Sequence, residues 1–252
     1  MSKLVKTEYS VHFGNTLKHL HLAVVSDLHS KRNSDIEGII RILKSVQPDY
    51  ILMPGDIFER LDGTEKEGKK SGFELLEKAC EIAPVFFSVG NHENGGIRSW
   101  NKLKWSMIKC IPRYYDQSEL DRISHSGATF LDDGYVIEDG IAFGGLTSGL
   151  INEKREPNTA WLDEFCGLDC PKILLGHHPE YYENYLIDRK IDLIVSGHAH
   201  GGQWRIFGRG VFAPGQGIFP KYTSGVHHGR LVISRGLKPA GKYREYSIHL
   251  RL

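Results

Sequence analysis

The sequence predicts an α/β (α+β) fold, organised as a single layered domain over residues 1–252. In the first half of the chain, apolar runs of strand length alternate with segments whose apolar residues recur at helical spacing. In the second half, the apolar runs are mainly strand-like. Strands interleaved with helices favour a layered architecture, and we find no repeat, low-complexity tract or linker that would divide the sequence.

The first half is expected to begin with a β-hairpin and then to alternate helices and strands. Residues 4–12 and 19–26 are β-prone and flank a turn, so we expect them to pair. A capping-box pattern that begins at Ser34 opens a helix, and Pro48 ends it. The other elements expected here are a strand at 50–53, a helix at 73–82, a strand at 84–89 and an amphipathic helix at 97–111.

Glycine-marked turns divide the second half into short strands, with two helices between them. Proline opens each of these helices, which are expected at 157–165 and 179–186. The strands are expected near 128–131, 134–138, 140–145, 172–175, 191–196, 230–234 and 243–252. Strands therefore dominate after residue 128, which is why the predicted fold class includes α+β as well as α/β.

The composition argues against several classes of protein. The 32 Lys and Arg residues nearly balance the 31 Asp and Glu residues, so there is no global nucleic-acid or membrane signature. No stretch approaches 18 consecutive apolar residues, and the first residues lack the apolar core of a signal peptide. The four cysteines form no CxxC pair and indicate buried thiols in a reducing compartment. We therefore expect a cytoplasmic protein.

The stretch Gly-His-Ala-His-Gly-Gly at 197–202 directly follows the apolar run at 193–196. Histidines at positions i and i+2 of extended backbone point to the same side. His198 and His200 can therefore present two imidazoles to one small volume at the end of a strand, and imidazole is a good ligand for zinc, iron and similar metals. Taken alone, the pattern is also typical of a turn with two partly exposed histidines.

Four other apolar runs end in residues of the same kind. The side chains expected to gather at these strand ends are Asp27, His29, Asp56, Asn91, His92, His177, His198 and His200. An open α/β sheet normally builds its site at the carboxyl ends of its strands. Carboxylate, imidazole and amide ligands together suit Mn, Fe or Zn, and their number fits a binuclear site. The preference of Asp and His for turns explains one or two of these residues, but hardly five blocks in succession.

These blocks resemble the calcineurin-like metallophosphoesterase superfamily. In order over residues 20–202 they are Asp27-x-His29, Gly55-Asp56, Gly90-Asn91-His92-Glu93, His177-x-Pro179 and Gly197-His198-x-His200. The later Tyr222-x-x-Gly225 and Ser234-Arg235-Gly236 look like the bacterial membrane-associated type within that superfamily. The resemblance implies a four-layer α/β/β/α sandwich of two mixed β-sheets flanked by helices. Ala199 stands where threonine is usual, in a position that is not a ligand.

The resemblance also implies a role for each residue of the site. The implied ligands of one metal are Asp27, His29 and His200, and those of the other are Asn91, His177 and His198. Asp56 would bridge both metals. His92 would not bind metal; it would face the substrate as a general acid, with Glu59 orienting its ring. His178 is next to a ligand but is expected to point away from the site.

The activity implied is hydrolysis of a phosphodiester or phosphomonoester by a hydroxide that bridges two metal ions. These would be Mn, Fe or Zn, with Mn the metal expected in vitro. A small phosphate ester is the expected substrate, with a phospholipid headgroup or a nucleotide diester preferred in that order. The alternative is a non-catalytic metal-binding scaffold of the same fold, but such proteins typically lose ligands or the catalytic histidine.

The partners of the chain are less sharply indicated. The segment 221–252 carries seven Lys or Arg residues and one acid, Glu245. This fits either peripheral contact with an anionic lipid surface or a solvated basic edge strand, and both alternatives stay open. No broad basic patch indicates nucleic acid, and no feature indicates an obligate protein partner.

Overall fold

The structure is a computed structural model that describes residues 4–12, 19–30, 35–63, 71–94, 99–101, 106–109, 115–149, 156–202, 205–206, 209–237 and 244–251. The strands of the first half are β1 (Leu4–Ser10), β2 (His21–Val24), β3 (Tyr50–Pro54), β4 (Val85–Ser88), β5 (Ser99–Asn101) and β6 (Ser106–Lys109). Those of the middle are β7 (Thr129–Leu131), β8 (Gly134–Glu138), β9 (Ile141–Leu146), β10 (Lys172–Gly176) and β11 (Leu193–Ser196).

Short strands dominate the remainder of the chain. They are β12 (Arg205–Ile206), β13 (Arg209–Gly210), β14 (Phe212–Ala213), β15 (Gly217–Ile218), β16 (Gly225–His227), β17 (Leu231–Ile233) and the longer β18 (Arg244–Arg251). The helices are α1 (Ile36–Val46), α2 (Ser71–Cys80), α3 (Gln117–His125) and α4 (Leu162–Gly167), and Tyr182–Leu186 form a π-helical turn.

Two six-stranded mixed sheets form the centre of the molecule. The first has the strand order β1-β18-β2-β3-β4-β7, and the second has the order β16-β17-β11-β10-β9-β8. In the first sheet β2, β3, β4 and β7 are parallel, and in the second β9, β10, β11 and β17 are parallel. Each sheet therefore brings the carboxyl ends of several strands to one edge, where a site is normally built.

The inner faces of the two sheets share one apolar core. Leu22 and Phe86 of the first sheet belong to the same buried cluster as Phe143 and Ile173 of the second. The rings of Phe86 and Phe143 stack with centroids 3.9 Å apart and planes 8° from parallel. Because side chains alternate along a strand, neighbours of these residues such as Ala23 face outward into a different cluster.

Helices cover both outer faces. α1, α2 and α3 pack on the first sheet through residues such as Ile39, Phe73 and Ile123. On the second sheet, α4 and the π-helical turn contribute Phe165 and Leu186 to a third cluster. The four-layer α/β/β/α sandwich of two mixed sheets is thus confirmed.

Helix α1 shows how the local sequence sets one of these elements. The Oδ1 atom of Asp35 accepts a hydrogen bond of 2.8 Å from the backbone N–H of Gly38, which satisfies a free donor of the first turn. Ile36, Ile39 and Leu43 then recur at helical spacing and are buried. The helix expected from the capping pattern is present, although Ser34 itself lies outside the described residues.

Two predicted elements are wrong. The segments 4–12 and 19–26 do not form a hairpin, because β18 lies between β1 and β2, parallel to the first and antiparallel to the second. The local turn signal contains no information on a strand from the far end of the chain. The described parts of 97–111 form the antiparallel pair of β5 and β6 rather than a helix. Aromatic and β-branched residues are frequent there, and they fit a pleated surface at least as well as a helix.

Two other elements differ in extent. α4 begins at Leu162 rather than at 157, and the segment after Pro179 closes as the π-helical turn instead of an α-helix. None of the helices in the described part of the chain has the length and apolarity needed to cross a membrane.

Candidate metal centre

The predicted site residues all lie in turns that follow parallel strands. Asp27 and His29 follow β2, Asp56 and Glu59 follow β3, Asn91 and His92 follow β4, His177 follows β10, and His198 and His200 follow β11. Three of these strands belong to the first sheet and two to the second. The site therefore lies where the two sheets meet at one edge.

The backbone is unusual at five of these residues. Asp27, His29, Asp56, His198 and His200 all have positive φ, between 48° and 64°. The left-handed region is sparsely populated by residues other than glycine, and each such residue costs about 1–3 kcal/mol. Strain of this kind persists only where surrounding contacts enforce it, and it is concentrated at functional sites.

Hydrogen bonds between the turns hold the two carboxylates. Oδ2 of Asp27 accepts a bond of 2.6 Å from the hydroxyl of Ser26, and its Oδ1 accepts one of 3.0 Å from the backbone N–H of His198. Oδ1 of Asp56 accepts a bond of 2.9 Å from the backbone N–H of His92. These bonds fix both carboxylates and leave Oδ2 of Asp56 directed at the histidines.

Metal-ligating atoms form overlapping groups whose members lie within 4.8 Å of one another. The groups are Asp27, His29 and His200; His29, Asp56 and His92; Asp56, His177 and His198; and His178, Glu180 and His198. Oδ2 of Asp56 is 3.0 Å from Nε2 of His177 and 3.8 Å from Nε2 of His29. Asp56 thus faces one histidine from each of the two groups that the family resemblance assigns to separate metals, as a bridging carboxylate would.

The donor set fits a bound cation. Oδ1 of Asn91 and Nε2 of His29 are buried and find no hydrogen-bond partner among the described residues. Buried polar atoms without a partner are expensive, and coordination would satisfy them. Nδ1 of His177 donates to the carbonyl of Pro54 over 2.7 Å, so Nε2 is the nitrogen that faces Asp56 and would bind a cation once it has lost its proton. A metal ligand typically has this tautomer.

Two of the histidines are held neutral, which is the form that binds metal. Burial lowers the pKa of His198 well below its ordinary value, and the neighbouring His178 and His177 lower it further. Burial also lowers the pKa of His29, although Glu59 and Asp56 oppose the shift.

His92 lies on the open side of the site, with its side chain 29% exposed. Nδ1 donates to Oε1 of Glu59 over 3.1 Å, and Nε2 lies 3.9 Å from Oδ2 of Asp56. Burial lowers the pKa of His92, but the charges of Asp56 and Glu59 and the bond to Glu59 raise it to about 9. In the metal-free protein the imidazole is therefore protonated at neutral pH, which is the form that a general acid requires.

Glu59 makes a contact that the sequence did not predict. Its Oε2 lies 3.5 Å from Nδ1 of His29, while Oε1 contacts His92. The same carboxylate thus faces a candidate ligand and the candidate general acid. These two histidines meet edge to face, with ring centroids 4.3 Å apart.

Sequence reasoning assigned no role to Glu93. Its buried carboxylate accepts backbone hydrogen bonds of 2.9, 2.8 and 2.9 Å from Asp56, Phe58 and Gly90. It therefore ties the turn after β3 to the turn after β4, and it holds Asp56 in place. The signal that could have identified it is an acid within an otherwise buried stretch, three residues after Gly90.

The prediction for His178 differs from the structure. Its ring does not point away from the site but packs against His198, with centroids 4.0 Å apart. A positive φ at His198 turns that residue out of the regular alternation of a strand, so extended geometry was a poor guide here.

The sandwich and its Asp, Asn and His cluster define a class of protein, the metallophosphoesterases. Within that class, the chain belongs to the calcineurin-like phosphoesterase family, whose model matches residues 20–202.

Relatives share about a quarter of their residues with the chain. A Caenorhabditis elegans protein named as a metallophosphoesterase is 27% identical over 209 residues, which cover 76% of this chain and 38% of the relative. A Bos taurus protein named "Transmembrane protein with metallophosphoesterase domain" is 25% identical over 195 residues, which cover 75% of this chain and 42% of the relative. The chain therefore spans about two fifths of the length of these relatives.

Among solved structures, the Haemophilus influenzae NAD nucleotidase aligns with 73% of this chain and 39% of its own, at 13% identity and a TM-score of 0.46. The membrane-associated subgroup and the cytoplasmic placement stay predictions, since a relative is named as a transmembrane protein.

Proposed function

We propose that the chain is a binuclear metal-dependent phosphoesterase that hydrolyses a phosphodiester or a phosphomonoester, with His92 as the general acid. The observation that supports this best is the position of Asp56, whose Oδ2 lies 3.0 Å from Nε2 of His177 and 3.8 Å from Nε2 of His29. One carboxylate oxygen between two groups of imidazoles matches what a pair of cations requires.

The ligands proposed for one cation are Asp27, His29 and His200, and for the other Asn91, His177 and His198, with Asp56 shared. When bound, two cations would supply Lewis-acid polarisation of the phosphoryl group and a nucleophilic water at neutral pH. The hard carboxylate and amide oxygens beside imidazoles suit Mn, Fe or Zn, and Mn is the metal proposed for assays in vitro.

The remaining chemistry belongs to side chains that do not bind metal. His92 carries a proton at neutral pH and would deliver it from Nε2 to the leaving oxygen, which contributes about 10²–10⁴-fold. Glu59 would keep Nδ1 of that ring occupied, so that Nε2 is the nitrogen that acts.

A phospholipid headgroup is the substrate we place first, and a nucleotide diester second. Ile218, the last residue of β15, and Phe219, the first residue of the turn that follows, have 72% and 78% of their surfaces exposed. Two adjacent large apolar residues at an exposed turn fit contact with lipid. This supports peripheral contact with an anionic lipid surface as part of the proposal.

The test is hydrolysis of bis-p-nitrophenyl phosphate with Mn²⁺ present, in parallel with elemental analysis. We expect His92→Ala to reduce turnover about 10²–10⁴-fold while the metal content is unchanged. His125→Ala removes an exposed histidine of α3 and is the matched control, for which neither quantity should change.

Two results would contradict the proposal in different ways. Loss of metal in His92→Ala would make His92 a ligand, in keeping with its place near His29 and Asp56. A wild-type chain that binds two cations but hydrolyses no phosphate ester would be the non-catalytic scaffold.

A further inference from the structure

His178 lies outside the proposed ligand set but packs directly against it. Its side chain is only 1% exposed and lies between two rings. On one side is His198, with centroids 4.0 Å apart and planes 31° from parallel, and on the other is Tyr181, with centroids 4.9 Å apart and planes at 17°. A ring held on both faces has little freedom to rotate.

The stack is anchored at both ends. Nδ1 of His178 donates to Oε1 of Glu180 over 2.9 Å, which fixes the ring in its own plane. The hydroxyl of Tyr181 accepts a hydrogen bond of 2.9 Å from the backbone N–H of Gly149. His178 is thus fixed by its faces and by its edge, and it presents a rigid surface to His198.

His198 needs such support more than His177 does. The outer nitrogen of His177 donates to the carbonyl of Pro54, as the outer nitrogens of most metal-bound histidines do. Nε2 of His198 is buried and finds no hydrogen-bond partner among the described residues. Its ring plane is therefore set by packing instead of by an outer hydrogen bond, and His178 provides a stacking face.

A third cation is the competing explanation for this cluster. His178, Glu180 and His198 each place one ligand atom within 4.8 Å of the others, and Oε2 of Glu180 is also buried without a partner among the described residues. However, the lone pairs of imidazole lie in the ring plane, and the planes of these two rings are only 31° from parallel with centroids 4.0 Å apart, so lone pairs in the two planes meet at a shallow angle. They do not converge on one ion at the roughly 2.0–2.1 Å that zinc and imidazole require.

We propose that His178, held by Glu180 and Tyr181, is a positioning residue that fixes the ring plane of His198 and thereby sets the affinity of one of the two metal sites. The inference rests on the proposed binuclear centre. Loss of an outer support of a metal ligand typically weakens metal binding about 10–100-fold. The effect should be confined to the site that contains His198, because the ligands Asp27 and His29 of the other site do not contact His178 in the described structure.

The test is a calorimetric titration of the metal-free protein with Mn²⁺, repeated with Co²⁺ while the visible spectrum is recorded. We expect His178→Ala to weaken one of two binding events about 10–100-fold and to change the cobalt bands of that site alone. His178→Phe keeps a flat ring and should lose much less affinity for Mn²⁺. The loss of affinity in Glu180→Gln should lie between those of His178→Ala and His178→Phe. The control is Glu183→Gln, which alters a nearby glutamate paired with Lys221 and should change neither event.

Each alternative gives a different result. If His178→Ala lowers only the melting temperature and leaves both binding events and the cobalt bands unchanged, the residue is merely structural and the proposal is overturned. A third equivalent of metal that Glu180→Gln removes would overturn it in favour of a third ion site. No substrate is present in these titrations, so a chain that binds two cations but hydrolyses nothing contradicts the proposed activity alone. A chain that binds fewer than two contradicts both.

Discussion

Nε2 of His177 lies 3.0 Å from Oδ2 of Asp56, and the two residues come from different sheets. Asp56 follows β3 of the first sheet, and His177 follows β10 of the second. Both side chains are buried, so the contact depends on the face-to-face packing that the stacked pair Phe86 and Phe143 maintains. The candidate centre is thus a product of the sandwich as a whole.

Asp56→Asn should remove the carboxylate that the two cations are proposed to share. The amide keeps the shape of the side chain but replaces one oxygen by a nitrogen that cannot bind a cation, so at least one metal should be lost. We expect turnover of bis-p-nitrophenyl phosphate to fall by about 10²-fold or more, measured together with metal content. Asp163→Asn, at an 85% exposed side chain on α4, is the control. Full metal content and turnover in Asp56→Asn would exclude a bridging role.

Metal binding should release a proton from His177. Burial lowers the pKa of this imidazole, but the charges of Asp56 and Asp27 and the bonds to Asp56 and Pro54 raise it to about 10. A cation requires the neutral ring, so its apparent affinity should rise with pH by up to about tenfold per unit below pH 10. Calorimetry in two buffers of different ionisation enthalpy measures the proton count. Equal heats in both buffers would contradict the prediction.

The same shift predicts how the stability of the metal-free protein depends on pH. The folded-state pKa of His177 is raised above the ordinary value of 6.5. Its contribution to stability is therefore fully present below pH 6.5 and is lost as the pH rises towards 10. Melting temperatures recorded across this range should fall for the metal-free protein, and metal-loaded protein should not show that loss.

The sequence was informative where chemistry depends on local pattern. Each apolar run that was predicted to end at the site forms a strand in the structure. This succeeds because strands and their terminal turns are encoded within a few residues. The position of β18 between β1 and β2 could not be predicted, since strand pairing over such a separation depends on the assembled sheet. The same holds for Glu93 and His178, whose partners come from other turns.

Glu93→Gln should destabilise the fold and the site together. The carboxylate accepts three backbone N–H groups, whereas a glutamine amide has one oxygen and places an NH₂ group against a donor. We expect a loss of about 2–4 kcal/mol in the free energy of unfolding, measured by urea titration of the metal-free protein at pH 9, because burial raises the pKa of Glu93 to about 8 and the carboxylate form must be the one compared. Glu81→Gln, at an exposed glutamate after α2, should change it by less than about 0.5 kcal/mol. Similar values for both variants would mean that Glu93 does not hold the two turns.

Glu59→Gln should shift the pH dependence of the reaction. The negative charge of Glu59 and its bond to Nδ1 help to raise the pKa of His92, so removing the charge lowers that pKa. The general acid then loses its proton at lower pH, and the alkaline limb of kcat/KM should move to lower pH. Because Oε2 also faces His29, we expect turnover at neutral pH to fall about tenfold even with metal in excess. A pH profile in saturating Mn²⁺ measures both effects. If the alkaline limb stays in place while turnover falls, Glu59 acts on His29 rather than on the proton of His92.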